Sequence, residues 1–259
     1  MDKRATFKSL GDRMKFFESQ ETNRVFMPTL PTLARLDGRS FHTFTKGMKR
    51  PYDETMHNMM VETTKYLVHN TSAIIGYTQS DEITLMWHND NPNSQIFFNG
   101  KVIKMVSALA ASSSVKFNQL VAQHYPQYSE RMPTFDARVW QVPNIDEAMN
   151  VFLWRERDCT KNSISMAAQS MFSQKQLRGK HGNDMLDMML NEKGINWNDY
   201  PSWCKRGSYV KKVNVEFPAT DDKPSYIRSQ YHRIEVDNIS SWDQDMVNKM
   251  IAPVYEGVA

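Results

Sequence analysis

Arg35-Leu36-Asp37-Gly38-Arg39-Ser40-Phe41-His42, read together with Gly76-Tyr77-Thr78-Gln79-Ser80-Asp81-Glu82, decides the fold of this chain. The residues leading into the first stretch, Thr32 to Leu36, read as a short strand that ends abruptly at Asp37-Gly38-Arg39, where glycine permits a sharp change of direction. Around the second stretch, Ala73 to Tyr77 and Ile83 to Trp87 read as two strands of a hairpin. The tight end of that hairpin presents two adjacent carboxylates, Asp81 and Glu82.

Working outward, Asp53 to Asn70 lacks Gly and Pro and carries Met56, Met60, Thr63 and Leu67 on one helical face. Val102 to Tyr125 is again helical in character, and Ala137 to Val142 is a fourth strand before Pro143. The order strand, helix, hairpin, helix, strand is the split βαβ plan of ferredoxin-like domains and of polymerase palms. The expected fold class is therefore α+β, a ferredoxin-like polymerase palm (βαββαβ) with a helical C-terminal extension.

Phe7, Leu10, Met14 and Phe17 fall at helical spacing, so an amphipathic helix is expected ahead of the palm. Asp146 to Gln176 and Asp184 to Lys193 read as helices, and the tail from Lys211 mixes strand-like pieces with loops. The expected division is residues 1–143 for the N-terminal helix and catalytic palm, and 144–259 for a helical C-terminal part with a basic surface.

Hydrophobic content of 40% and charged content of 24% in 259 residues are ordinary for a globular protein, and no apolar run is long enough to span a bilayer. The opening Met1-Asp2-Lys3-Arg4 leads into no signal-peptide pattern, so a cytoplasmic location is expected. Cys159 and Cys204 are the only cysteines and stand at no zinc spacing, which argues against a disulfide scaffold or structural zinc. The net charge is +3, but Arg155 to Lys212 holds eleven Lys/Arg against six Asp/Glu, a basic bias that suits a polyanion or merely a solvated surface.

In the expected palm, the end of the first strand lies beside the hairpin, bringing Asp37 to Asp81 and Glu82. Magnesium takes oxygen ligands and keeps several waters, so one or two carboxylates plus substrate phosphates complete its shell. Two such ions activate an attacking hydroxyl and neutralise charge on a leaving pyrophosphate.

The run Asp37-Gly38-Arg39-Ser40-Phe41-His42-Thr43-Phe44 resembles the Asp-Gly-Arg-x-Phe-His-x-Phe signature of tRNA(His) guanylyltransferases. Pro51-Tyr52-Asp53, with Arg50 where the family has lysine, and the Gly76 to Glu82 hairpin are similar to further family segments. Lys104 to Ser107, Pro133 to Arg138, Trp154 to Cys159, Gly194 to Asn198 and Lys205 to Ser208 follow in the family's order.

The resemblance implies that Asp37, the Gly38 carbonyl and Asp81 bind magnesium, two ions in all, with Glu82 beside them as a third catalytic carboxylate. It implies that Asp37, Gly38, Arg39, Ser40, Phe41 and His42, with Ser80, Asp81, Lys101 and Lys104, hold the incoming nucleotide, GTP or ATP. Phe41 and Phe44 suit a core equally well, and His42 a structural role. For tRNA, the candidates are Lys161, Asn162, Lys175, Arg178, Lys180, Lys205 and Arg206, with Lys211 and Lys212 beyond them. Trp197, Tyr200 and Trp203 suit base stacking or core packing. A homotetramer is implied as well.

The activity implied is addition of GMP or another nucleotide to the tRNA 5′ end in the 3′–5′ direction. After Asp158-Cys159, guanylyltransferases proper continue His-Ile-Asn-Asn-Leu-Tyr-Asn, whereas this chain reads Thr160-Lys161-Asn162-Ser163-Ile164-Ser165-Met166. That departure resembles the branch of 3′–5′ polymerases that repair truncated tRNA 5′ ends by templated addition, and a nucleotide cyclase uses the same palm. Both stand as alternatives to the guanylyltransferase reading.

Overall fold

The computed structural model describes residues 7–219, 226–234, 250 and 254–257. The palm runs β1 (Thr32–Arg39), α3 (Glu54–Thr71), β2 (Ile75–Gln79), β3 (Glu82–Trp87), α4 (Val102–His124) and β4 (Thr134–Gln141), with the four-residue α2 (Phe41–Phe44) after β1. Its antiparallel strands lie in the order β4-β1-β3-β2, which places β1 and β3 at the centre. The expected ferredoxin-like palm is thus present.

Local chemistry sets the element ends. Asp53 caps α3, its carboxylate accepting from the Met56 N–H, and Ser72 takes the left-handed conformation that closes the helix. Helices α3 and α4 bury Met59, Met60, Leu67, Leu109 and Phe117 against one sheet face, where Ala34, Leu36, Ile83 and Leu85 answer them. On the other face, α5 (Ile145–Gln169) lays Met149, Phe152 and Leu153 over Leu33, Ile75, Tyr77 and Met86. The alternation of apolar residues on β1 to both sides follows from a strand covered on two faces.

Three differences from the sequence reading are instructive. The helix expected over Asp146 to Gln176 stops at Gln169, and a separate turn, α6 (Gln174–Leu177), follows a Ser173 capping box. Beyond it come α7 (Gly182–Lys193) and α8 (Ser202–Arg206), so the second half is helical only this far. It then returns to the sheet: β5 (Ser208–Phe217) pairs with β2, β6 (Tyr226–Ile234) extends the far edge, and β7 (Val254–Gly257) runs parallel to β5.

The third difference is the N-terminal helix, α1 (Leu10–Thr22), which buries none of its residues and leaves Leu10, Met14, Phe16 and Phe17 exposed. Among the described residues, no helix is long and apolar enough to cross a membrane.

The contact between α3 and β2 is close because residue 76 has no side chain. A Cβ there would sit 2.7 Å from Thr64 Cγ2 and 2.8 Å from Val68 Cγ2. Gly76→Ala should therefore destabilise the fold by about 1–3 kcal/mol through overpacking. Chemical denaturation should show this, with activity per folded molecule little changed.

Candidate active site

The site is built where β1 ends beside the β2–β3 hairpin. Asp37 lies directly opposite Glu82 on β3 and Asp136 on β4. One residue on, the Gly38 N–H donates to the Asp81 carbonyl at 3.0 Å, tying the strand end to the hairpin turn. Ser80 makes that turn with φ of 49°. The structure thus brings Asp37 and Asp81 together, as the sequence implied.

Gly38 is required for a steric reason. A Cβ there would lie 2.4–2.7 Å from three atoms of the Phe41 ring. That ring is buried against Phe44, Phe117 and Phe135. Phe41 therefore anchors the loop from beneath, which is the core role the sequence left open for it. Arg39, Ser40 and His42 remain exposed on the loop, Ser40 with φ of 57°.

Electrostatics marks the pair. Burial, reinforced by the neighbouring charges of Asp37 and Glu82, pushes the Asp81 carboxyl up to about 6. Glu82 is differently placed: its Oε2 accepts from the Arg155 guanidinium and from Gln79 Nε2. Arg155, almost wholly buried, also bonds Asp158 at 2.8 Å. Glu82 is thus clamped to α5 through Arg155, whereas among the described residues no cation pairs with Asp81 or Asp37. Among the described residues, no group of three or more His, Cys, Asp or Glu side chains is arranged to hold a metal. Two carboxylates suffice for magnesium when phosphates supply the rest, so the donor set fits that ion.

Against this edge opens a cavity of about 340 Å³. Ser80, Asp81 and His42 stand at one wall, Tyr52, Asp53 and His57 at another, and Cys159, Ser163 and Met166 of α5 with Trp203 close it. The His57 ring stacks on Trp203, with centroids 4.4 Å apart, and its Nε2 lies 3.0 Å from Ser208 Oγ. Tyr52 donates to the Ser163 carbonyl at 2.7 Å and packs edge-on against Tyr200. Burial pushes both Cys159 and Cys204 thiols up to about 12, so these cysteines are unreactive lining.

Other expected residues fall elsewhere. Lys101 and Lys104 lie at the start of α4, whereas Ser114 of that helix bonds the Phe135 N–H beside Gly38. Ten residues of helix, about 15 Å, separate Lys104 from that level, so neither lysine reaches the cavity within one chain. Lys205 Nζ donates to the Asn198 carbonyl and covers the Trp197 ring, and Arg206 donates to Thr160 Oγ1 near Glu156. Both are half-buried and brace α8.

Lys211 and Trp197 are buried, whereas Trp203, stacked on His57, is half-buried and lines the cavity. Lys161, Asn162, Lys175, Arg178 and Lys180 are exposed as expected. The cavity walls from His57, Ser163, Met166 and Trp203 escaped the sequence reading, since they converge from three separate elements, α3, α5 and α8. Tyr52 and Asp53 carried a signal in Pro51-Tyr52-Asp53.

The likenesses to known proteins agree with this geometry. A model of the tRNAHis guanylyltransferase family matches residues 11–143. The tRNA(His) guanylyltransferase of Saccharomyces cerevisiae is 26% identical over 209 residues, covering 74% of this chain and 86% of that protein. A bacterial tRNA(His) guanylyltransferase-like protein solved in complex with ATP superposes with a TM-score of 0.82 at 38% identity, covering 94% of this chain and 99% of that one. Another such structure, in complex with GTP, gives a TM-score of 0.75 at 34% identity over 95% of this chain and all of that one.

His57 supplies a pH test. Burial, with the Arg233 charge second, holds its imidazole down at about 3, against 6.5 when exposed. Between these values the unfolded chain binds a proton that the folded one does not, so His57 stabilisation is complete above pH 6.5 and is lost as pH falls toward 3. The slope of unfolding free energy between pH 4 and 6.5 should be shallower in His57→Gln than in the parent, measured by urea titration. With the match spanning half the chain and the carboxylate pair in place, this chain belongs to the tRNAHis guanylyltransferase family.

Proposed function

We propose that the chain adds a nucleotide to the 5′ end of a tRNA, with the Asp37–Asp81 pair as its magnesium site. The reading is carried by one observation: Asp81, its carboxyl raised by burial and by the adjacent Asp37, lines a cavity of about 340 Å³, and the Gly38 to Asp81 bond holds the Asp37 strand end against it. Solved relatives holding ATP and GTP support the identity of the occupant. Templated repair and nucleotide cyclisation are not favoured by these likenesses.

The reaction transfers a nucleotidyl group from ATP to the tRNA 5′-monophosphate with release of pyrophosphate. The 3′-hydroxyl of GTP then attacks the activated 5′ phosphate and displaces AMP. Magnesium, when bound, lowers the hydroxyl's pKa and offsets charge on phosphoryl oxygens. Asp37 and Asp81 orient the reacting groups, with the Gly38 carbonyl as a third oxygen donor, while Glu82 and Arg155 fix the hairpin. Arg39, Ser40, His42 and Ser80 donate toward the triphosphate, and the cavity between His42 and Trp203 takes the base.

The second half of the chain supplies the tRNA surface through Lys161, Asn162, Lys175, Arg178 and Lys180. Exposed Leu10, Phe16 and Phe17 on α1 accord with the homotetramer that the resemblance implies. Lys101 and Lys104, too distant from their own cavity, then serve the triphosphate of a neighbouring copy.

Asp37→Ala and Asp81→Asn should each lower nucleotide addition by about a thousandfold or more in a labelled-GTP assay. In metal-free buffer at pH 8 the melting temperature of Asp81→Asn should hold or rise, since an ionised carboxylate is removed from a repulsive, desolvated place. EDTA should abolish activity, and near-normal turnover by either variant at saturating magnesium would overturn the metal assignment. A separate measurement addresses the RNA surface: charge reversal at Lys175 and Arg178 should raise KM for tRNA and flatten its salt dependence, leaving KM for GTP unchanged.

A further inference from the structure

The chemistry joins two nucleotides at one pair of carboxylates, and the cavity accounts for only one of them. Helix α5 divides the space around the pair. Its Cys159, Ser163 and Met166 wall the cavity on one side, and its Trp154 and Arg155 stand on the other, over β1. On that second side the sheet is open: Arg35 and Asp37 are half-covered, and Asp136 and Arg138 on the edge strand β4 are exposed.

Trp154 is a large aromatic left 51% exposed at the border of this opening. The Arg155 guanidinium lies 4.6 Å from its ring centroid and that of Arg35 lies 5.5 Å away. Arg155 is committed to Glu82 and Asp158, so it fixes the indole in place. Arg35 is different. Among the described residues its guanidinium has no ion pair or hydrogen bond, while its Nε is buried and unbonded like that of Arg155, and Arg138, directly opposite on β4, makes a 3.4 Å contact with Asp136. A half-buried guanidinium with no anionic partner beside an exposed indole leaves its terminal donors for a ligand to meet.

The spacing fits one ligand class. Arg35 and Asp37 are two residues apart on one strand, so they project from the same sheet face about 7 Å from each other. A phosphate held by Arg35 and Arg138 would lie within reach of the carboxylate pair, and the base attached to that nucleotide would fall on the Trp154 ring. Stacking on an aromatic face with a guanidinium on the phosphate is a usual way to hold a single nucleotide end.

We propose that Trp154, with Arg35 and Arg138, is the seat of the RNA substrate's 5′-terminal nucleotide. Its base stacks on the indole and its 5′-phosphate meets the two arginines. The inference rests on the function proposed above and names the residues that would position the RNA end.

The test pairs protein and substrate changes. An acceptor-stem RNA with a 5′-monophosphate is compared with the same RNA carrying an abasic 5′-terminal residue, using the parent, Trp154→Ala and Trp154→Phe. We expect Trp154→Ala to lose about tenfold in kcat/KM for the normal RNA, and Trp154→Phe to recover most of it. KM for GTP should stay unchanged in both variants. The abasic RNA should lose a similar factor with the parent enzyme and little more with Trp154→Ala, because each change removes the same stack.

Indole fluorescence quenching by the normal RNA should shrink in Trp154→Phe, whereas any quenching by GTP alone should persist. Equal losses by Trp154→Ala on normal and abasic RNA, no loss at all, or a defect confined to KM for GTP would each overturn the assignment. If the parent extends neither tRNA nor the acceptor-stem RNA, the proposed function falls with it. Extension by the parent with no dependence on Trp154 sinks only this inference.

Discussion

Asp37 and Asp81 are held close together in a poorly hydrated place, where their mutual repulsion opposes the arrangement. The palm meets this constraint with backbone rather than side chains. Asp37 sits near the end of central strand β1 and Asp81 in the turn that leads into its neighbour β3, and the Gly38 N–H to Asp81 carbonyl bond closes the gap between strand end and hairpin. Phe41 packs so tightly under Gly38 that no other residue fits. Burial and the neighbouring Asp37 and Glu82 charges raise the Asp81 carboxyl, and a cation held there as proposed would relieve both.

The third carboxylate shows how the fold avoids making matters worse. Directly opposite Asp37, a free Glu82 would add a further negative charge. Its ion pair with the buried Arg155, itself bonded to Asp158, instead spends that charge on attaching α5 to the hairpin. An isolated Arg155 would be very costly in this environment, so the carboxylates and the guanidinium are mutually necessary. Chemistry and architecture are coupled through this one contact.

What could be read in the sequence follows the range of the interactions involved. The Asp37-Gly38 corner, the hairpin tip and the two palm helices are local patterns, and all were legible from spacing and turn chemistry. Long-range placement was not. Lys104 belongs to the right motif in the right order, but order says nothing of distance along a helix, and α4 carries it away from the cavity. Lys205 and Arg206 read as solvated cations because their partners, the Asn198 carbonyl and Thr160, become neighbours only after folding. Lys211 reads as exposed, yet β5 enters the sheet beside β2 and buries it, with its ammonium pushed down to about 8 by desolvation.

The same reasoning bears on the segment where this chain departs from the guanylyltransferases proper. Thr160 to Met166 is not a free loop to be exchanged without consequence, because it is the continuation of α5. One side of that turn faces inward: Thr160 donates to the Lys205 carbonyl, the Ser163 carbonyl receives the Tyr52 hydroxyl, and Met166 lines the cavity. The other side presents Lys161 and Asn162 to solvent, with Asn162 bonded back to Asp158. A change in this segment therefore alters the wall of the cavity and the outer surface together. Through Asp158 and Arg155 it also touches the clamp on Glu82. One wall of the cavity and part of the proposed tRNA surface thus lie on a single helix, so a change in this segment reaches both.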